Sequence, residues 1–250
     1  MTPYTRLVRV ELRKVYDTRA GIALLSVAAV LVLTEQALLL AVTATKHQHV
    51  GYGSFVAVPA SITSVFLPVL GILLVTGEWS QRTAMVTFAL EPRRMRVVLA
   101  KLITSLLLTV VTSIVALALG AVLNAVSIGV QGSGSWDVDW QLFLGFLLVQ
   151  WTTMAGGFAL GALLLNTPAA LSVFFLYKWM LPGLLFAGAA AWQWLRDLGP
   201  WINFQDALIP VGRLALDSGT QWLHLLTSGC LWLVVPLGLG LRRILRAEVK

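Results

Sequence analysis

Charge is what this 250-residue sequence has least of: 12% of its residues are Asp, Glu, Lys or Arg, where a soluble globular chain carries roughly 25%. So few charges do not cover the surface of a water-soluble fold of this size. There is one cysteine, Cys230; it lies inside the last apolar run, forms no intrachain disulfide and is expected to pack as a small hydrophobe. The Gly-rich lysine motif that cradles nucleotide phosphates is missing, so ATP hydrolysis by this chain alone is excluded. Period-two alternation of the kind that builds a membrane β-barrel is also missing, and no soluble domain is appended. No nucleophile, base and orienting group assemble, so no catalytic residue is assigned and the chain is not expected to be an enzyme. A net charge of +7 and a pI near 10.1 invite a nucleic-acid partner, but the basic residues flank apolar segments and do not line one soluble face.

What the sequence has in abundance is apolar length. Hydrophobic residues make up 58% of it, and the mean hydropathy is +0.84. Runs long enough to cross a bilayer recur, at 21–42, 55–75, 98–122, 142–165, 169–190 and 223–241. The expectation is an all-α, polytopic membrane protein with six transmembrane helices in a single domain. Pro59 and Pro68 fall inside the second span, which is tolerated where neighbours satisfy the freed carbonyls. Gly145, Gly156, Gly157 and Gly161 in the fourth span let helices approach closely. Ahead of the first span, Tyr4 to Asp17 mixes Leu7, Val10 and Val15 with Arg6, Arg9, Glu11, Arg13 and Lys14 at helical spacing, the pattern of a helix lying in the interface against anionic lipid. Several apolar runs follow the first, so the first hydrophobic span is expected to be retained and not cleaved as a signal.

The basic residues set an orientation. Arg6, Arg9, Arg13, Lys14 and Arg19, then Arg82, Arg93, Arg94, Arg96 and Lys101, then Arg242, Arg243, Arg246 and Lys250 fall on one side; Lys46, Arg196 and Arg213 fall on the other. Fourteen against three is a strong inside bias, and an even number of spans puts both termini in the cytoplasm. The segment 124–140 reads as an outer loop with Trp136 and Trp140 as interface anchors, and Asp137 and Asp139 as solvated carboxylates. Asn166, Thr167 and Pro168 make a tight turn between the fourth and fifth spans. From Trp192 to Gln221 the chain is too polar and broken to span; its tryptophans suit short amphipathic helices at, or dipping into, the outer interface.

The stretch Gly77-Glu78-Trp79-Ser80-Gln81-Arg82-Thr83, then Phe88, Glu91-Pro92-Arg93-Arg94 and Ala100-Lys101, resembles the signature between the second and third spans of ABC-2 type transporter permeases. That family often has glycine immediately before the threonine, where this chain has Arg82. The resemblance implies the membrane permease of an ABC exporter in the bacterial cytoplasmic membrane, paired with itself or a similar subunit. It implies two separately encoded ATP-binding subunits carrying ATP and Mg, and no cofactor in this chain. It also implies a cytoplasmic coupling helix within 78–96, with Glu78, Trp79, Arg82, Thr83, Phe88, Pro92, Arg93 and Arg94 as partner-binding residues. Trp79 and Phe88 are then the expected aromatic anchors and Arg96 a rim arginine. The arginines have a second reading, in which they bind lipid headgroups and fix topology. Short loops point to a small or amphipathic cargo. The alternatives are a stand-alone secondary transporter, expected to show repeated halves with broken spans, and a non-transporting membrane partner subunit.

Glu35 and Lys178 are the ionisable residues inside predicted spans, and such groups face a bundle interior or polar cavity. With Trp151 and Trp179 they are candidates for a substrate path, and the two charges are candidates to pair. In the blander reading Glu35 is an end-of-helix residue near the polar loop. Trp151, Trp179 and Trp232 either line a cavity or pack between helices. His47, His49 and His224, without neighbouring Cys or an acidic cluster, fall short of a zinc ligand set, so no metal is assigned.

Overall fold

In the computed structural model, which describes residues 3–46, 50–131, 135–136 and 140–246, the chain begins with Pro3 and the amphipathic helix α1 (Tyr4–Asp17), at the boundaries read from the sequence. Thr18, in an extended conformation, breaks the chain before α2 (Arg19–Lys46). The corner is tight enough to require glycine: a Cβ on Gly21 would sit 1.8 Å from the Val15 carbonyl oxygen. The Gly21 N–H donates to Thr18 Oγ1 at 3.1 Å, closing the corner.

The helices α3 (Tyr52–Ser80), α4 (Ala84–Leu90), α5 (Arg94–Gln131) and α6 (Trp140–Leu164) follow. Then come α7 (Thr167–Ala191), the short helices α8 (Gln193–Ile202), α9 (Phe204–Ala207) and α10 (Ile209–Gly212), and α11 (Gly219–Arg246). Among the described residues there is no strand, and α2, α3, α5, α6, α7 and α11 are each long and apolar enough to cross a membrane. The protein is all-α and a multi-pass membrane protein.

The centre of the bundle is α3 against α6. A Cβ on Gly157 would lie 2.2 Å from the Pro68 carbonyl oxygen, and one on Gly71 2.7 Å from that of Met154, so the backbones meet with nothing between them. Gly161 fits against Ile72 and Gly145 against Gly212, but Gly156 meets nothing within 4 Å and takes no part. Phe158, Ala162, Val75, Val98 and Ile244 knit α6 to α3, α5 and α11. The first of the two prolines in the second span is satisfied as the chemistry requires: Pro59 has no N–H for the carbonyl four residues before it, and Gln36 Nε2 donates to that oxygen, of Phe55, at 2.7 Å.

Several spans exceed their sequence boundaries. The 38-residue α5 is about 57 Å long against a hydrocarbon thickness of about 30 Å, so it projects beyond the bilayer. The expected loop at Asn124 is therefore still helix; buried Asn124 and Ser127 lie within it, and Asn124 Nδ2 reaches the Ser135 carbonyl at 3.3 Å. The turn at 166–168 behaves as read: Asn166 Oδ1 accepts from the Ala169 N–H and Pro168 sits in the first turn of α7.

Candidate functional site

Four charges from three helices form a closed ring at the end of the bundle where α1, the end of α3 and the start of α5 meet. Lys14 Nζ donates to Glu11 Oε1 at 2.7 Å and to Glu78 Oε1 at 2.5 Å; Lys101 Nζ donates to Glu11 Oε2 at 2.7 Å and lies 3.3 Å from Glu78 Oε1. Signs alternate around the ring, so each buried charge has opposite neighbours and the net charge is zero. Lys101 also donates to the Leu74 carbonyl at 2.8 Å. Thr87 Oγ1, on α4, donates to Glu78 Oε1 at 3.1 Å. Exposure divides the four: Glu11, Glu78 and Lys101 keep 4–7% of their side-chain surface, Lys14 37%. Burial pulls the Lys14 pKa down, but the carboxylates of Glu11 and Glu78 outweigh it and hold the ammonium above its ordinary value.

The sequence singles out Glu78, treats Lys14 and Lys101 as orientation signals and passes over Glu11. The signal for Glu11 is its place three residues before Lys14 in a helix otherwise rich in Arg, where a carboxylate has local partners. That it also reaches Lys101, 90 residues away, is tertiary information.

The segment 78–96 divides its expected partner-binding residues: Glu78, Trp79, Phe88 and Arg94 turn toward the bundle, and Arg82, Thr83, Pro92 and Arg93 stay exposed. Thr83 N–H bonds to the Glu78 carbonyl at 2.8 Å, and Arg82 adopts φ 57° to make that turn. Trp79 and Phe88 are half-buried, their rings 6.3 Å apart, and Phe88 packs on the cluster of Val75, Phe158 and Ile244. The two aromatics fasten α4 to its own bundle and keep part of their surface exposed. Arg94 lies over the Phe88 ring at 5.0 Å and donates to the Ile244 carbonyl at 2.9 Å, closing the end of α11. Arg96 is no rim residue: it is clasped by both Glu91 oxygens at 3.1 Å with 13% of its side chain exposed, and it lies over Tyr4. Exposed are Arg82, Thr83, Pro92 and Arg93, with Met85, Val86 and Leu90, the last at 79%.

The candidate path residues do not converge. Lys178 is the twelfth residue of the 25-residue α7, on a π-helical turn at Leu176–Met180. Its Nζ donates to Ser64 Oγ at 3.3 Å, while Glu35 Oε2 lies 3.5 Å from Ser61 Oγ. The two charges thus flank one serine-bearing face of α3 and do not pair directly. Glu35 is exposed and eleven residues short of the end of α2, three turns inside the helix, which removes the end-of-helix reading. Trp151 and Trp179 lie on the outside of the single chain, Trp179 stacked on Phe175. Trp232 is the tryptophan beside Lys178, in a small cavity of about 30 Å³ with Tyr177 and Gln205. It sits on a second π-helical turn, Cys230–Val234; Cys230 is exposed there and not packed as expected.

The segment before α11 reaches further than an interface. Gln205 Nε2 donates to the Lys178 carbonyl at 2.8 Å and Trp232 Nε1 to that of Ile202 at 2.9 Å, so α9 lies at the middle of α7 and α11. A π turn shifts the backbone bonding and exposes carbonyls, and Gln205 takes up two of them, of Tyr177 and Lys178. His224 packs edge-on against Trp201; His47, His49, Asp137 and Asp139 lie outside the described residues. The chain matches no protein-family model and no curated protein.

Proposed function

We propose that this chain is the permease subunit of an ATP-driven exporter, with ATP and Mg handled by a separate pair of subunits. The observation that carries the reading is the build of α4. It stands beyond the end of α3 among the clustered basic residues, turns Met85, Ala89 and Leu90 outward, and is tied through Thr87 and Glu78 to the ring joining α1, α3 and α5. A push on α4 is delivered to two spans and the amphipathic helix at once. The positive-inside bias supports a cytoplasmic position for this end, where an ATPase would dock. The 77–101 resemblance supports the same assignment, and a small or amphipathic cargo fits the short outer connections.

The test is whether an ATP-binding subunit copurifies with this chain from its native membrane, then ATP turnover in nanodiscs. Leu90→Asp is expected to lower recruitment at least tenfold, since a central apolar contact at an interface is worth about 2 kcal/mol, while leaving membrane insertion and thermal unfolding unchanged. Full recruitment and turnover by Leu90→Asp would sink the docking role of α4. A second reading, a stand-alone secondary transporter, draws on the π turns at mid-span beside an intramembrane lysine, a feature of transporters with broken helices. Uptake into vesicles that follows an ion gradient without ATP would favour it.

A further inference from the structure

A groove of about 310 Å³ opens beside the charged ring, between the α1–α2 corner and the ends of α3 and α4. That volume is at the lower end of small-molecule sites. Its floor is apolar, from Val15, Leu70, Leu73 and Leu74, and its polar end is Lys14, Glu78 and Thr87. Leu70 precedes Glu78 by eight residues on one helix, so the groove runs about 12 Å from the charged end toward the membrane middle.

The ring leaves this polar end with one donor and one acceptor unspent. An ammonium has three N–H groups. Lys101 uses its three on Glu11, Glu78 and the Leu74 carbonyl, whereas Lys14 uses two, on Glu11 and Glu78. Glu78 Oε1 takes Lys14, Lys101 and Thr87, and Oε2 has no hydrogen bond among the described residues. Lys14 is also the exposed member of the ring.

We propose that this groove binds a membrane amphiphile whose zwitterionic headgroup carries a phosphate and a primary amine, an aminophospholipid of the adjoining leaflet. The phosphate takes the third N–H of Lys14, the amine donates to Glu78 Oε2, and an acyl chain lies along Leu74, Leu73 and Leu70. A trimethylammonium headgroup has no N–H to give Glu78, and an anionic glycerol headgroup offers that carboxylate only neutral hydroxyls, a weaker bond than an ammonium makes, with no positive charge to offset its own phosphate. The groove therefore distinguishes headgroups by hydrogen bonding and not by charge alone. The assignment stands apart from the transport reading, because it uses only the groove and the ring.

The test uses the full chain in detergent, with short-chain phosphatidylethanolamine, phosphatidylcholine and phosphatidylglycerol added separately, and bound lipid read by native mass spectrometry. Gly77 lines the groove and a Cβ there meets nothing within 4 Å, so Gly77→Leu starts from open space and puts its side chain into the groove. Phosphatidylethanolamine is expected to be retained at least tenfold more than the other two, and Gly77→Leu to lose at least tenfold of that retention with its thermal unfolding unchanged. Leu73→Trp, from the apolar wall, is expected to do the same and stands in if the first variant fails to fold. Equal retention of the three lipids overturns the proposal, as does undiminished binding in the filled variants. Glycerophosphoethanolamine, the headgroup without its chains, separates the sources of binding: retention equal to that of the lipid would remove the apolar floor from the site and overturn the lipid assignment.

Discussion

At the scale of single residues, Arg82 stands where the backbone favours glycine. The position before Thr83 has φ 57°, in the region where a Cβ meets the following carbonyl at a cost of about 1–2 kcal/mol and where glycine is at ease. Arg82→Gly removes that strain and loosens the unfolded chain by about 0.5–1 kcal/mol, so it is expected to stabilise the protein by up to about 1 kcal/mol, read as a rise in Tm. A fall in Tm would show that the arginine makes a contact worth more than its strain. In the ring, burial decides which lysine matters more. Lys101→Met leaves two enclosed carboxylates sharing one ammonium and is expected to destabilise by about 3 kcal/mol or more; Lys14→Met, with 37% of that side chain exposed, is screened and costs less. Equal losses in urea unfolding would contradict this ranking. The pH dependence follows from the raised pKa of Lys14. A raised lysine contributes its full share below the unfolded value and loses it as pH climbs through the folded one, so α1 is expected to stay docked at pH 9 and to release only above the ordinary lysine range. A spin label at Arg9→Cys in a Cys230→Ser background measures this, and release by pH 9 would refute it.

At the scale of elements, the packing of α3 on α6 makes the sharpest demand. Gly157→Val drives a side chain into the Pro68 backbone, where a single Cβ is already at 2.2 Å, and overpacking of this kind costs about 1–3 kcal/mol. Gly156→Val, one residue earlier, meets open space and is expected to leave the stability within about 0.5 kcal/mol of the parent; equal damage from both would refute the close crossing. The pair also marks how far the sequence is legible. It shows a small-residue face in the fourth span, because glycine at such spacing means close approach, but which glycine touches depends on the rotation of α6 about its axis, set by residues elsewhere. The same division runs through the other elements. The amphipathic α1, the turn at Asn166 and the existence of six spans follow from local periodicity and capping. The extension of α5 past Asn124 does not, since one buried Asn inside a helix looks like a loop until its partner at Ser135 is known. Nor does the depth of α9, which rests on Gln205 finding carbonyls released by the π turn in α7. In the candidate site, Glu78 was legible as the acidic close of an apolar span, whereas the inward turn of Trp79, Phe88 and Arg96 was not, because aromatic and charge spacing on a helix as short as α4 serves either face equally well.

At the scale of the whole molecule, the bundle is enclosed on some sides and bare on others. The Gly-bearing faces of α3 and α6 are used up inside the chain, so they are not free to join two copies. The least covered spans are α2 and α7, and between them on α3 lie Ser61 and Ser64, bonded to Glu35 on one side and Lys178 on the other. An exposed carboxylate three turns inside an apolar helix is expensive against lipid, by about 2.5–3.5 kcal/mol at mid-helix on insertion scales, and that expense is removed if a like face covers it. A two-fold interface is self-complementary, so a face carrying both signs sets Glu35 of one copy toward Lys178 of the other. We therefore expect the protein to be a dimer through this face, and the sign of the effect of one substitution distinguishes it from other arrangements. Glu35→Leu relieves the single chain of its lipid-facing carboxylate and takes from the dimer its charge partner, so both changes favour separation. At a fixed protein-to-lipid ratio, single-molecule photobleaching is expected to show mainly two-step traces for the parent and a fall of at least tenfold in the association constant for Glu35→Leu. Leu144→Ala, exposed on α6, should leave the distribution unchanged. One-step traces for the parent, or an unchanged constant for Glu35→Leu, would leave Glu35 facing lipid or cargo and remove α2 and α7 from the interface.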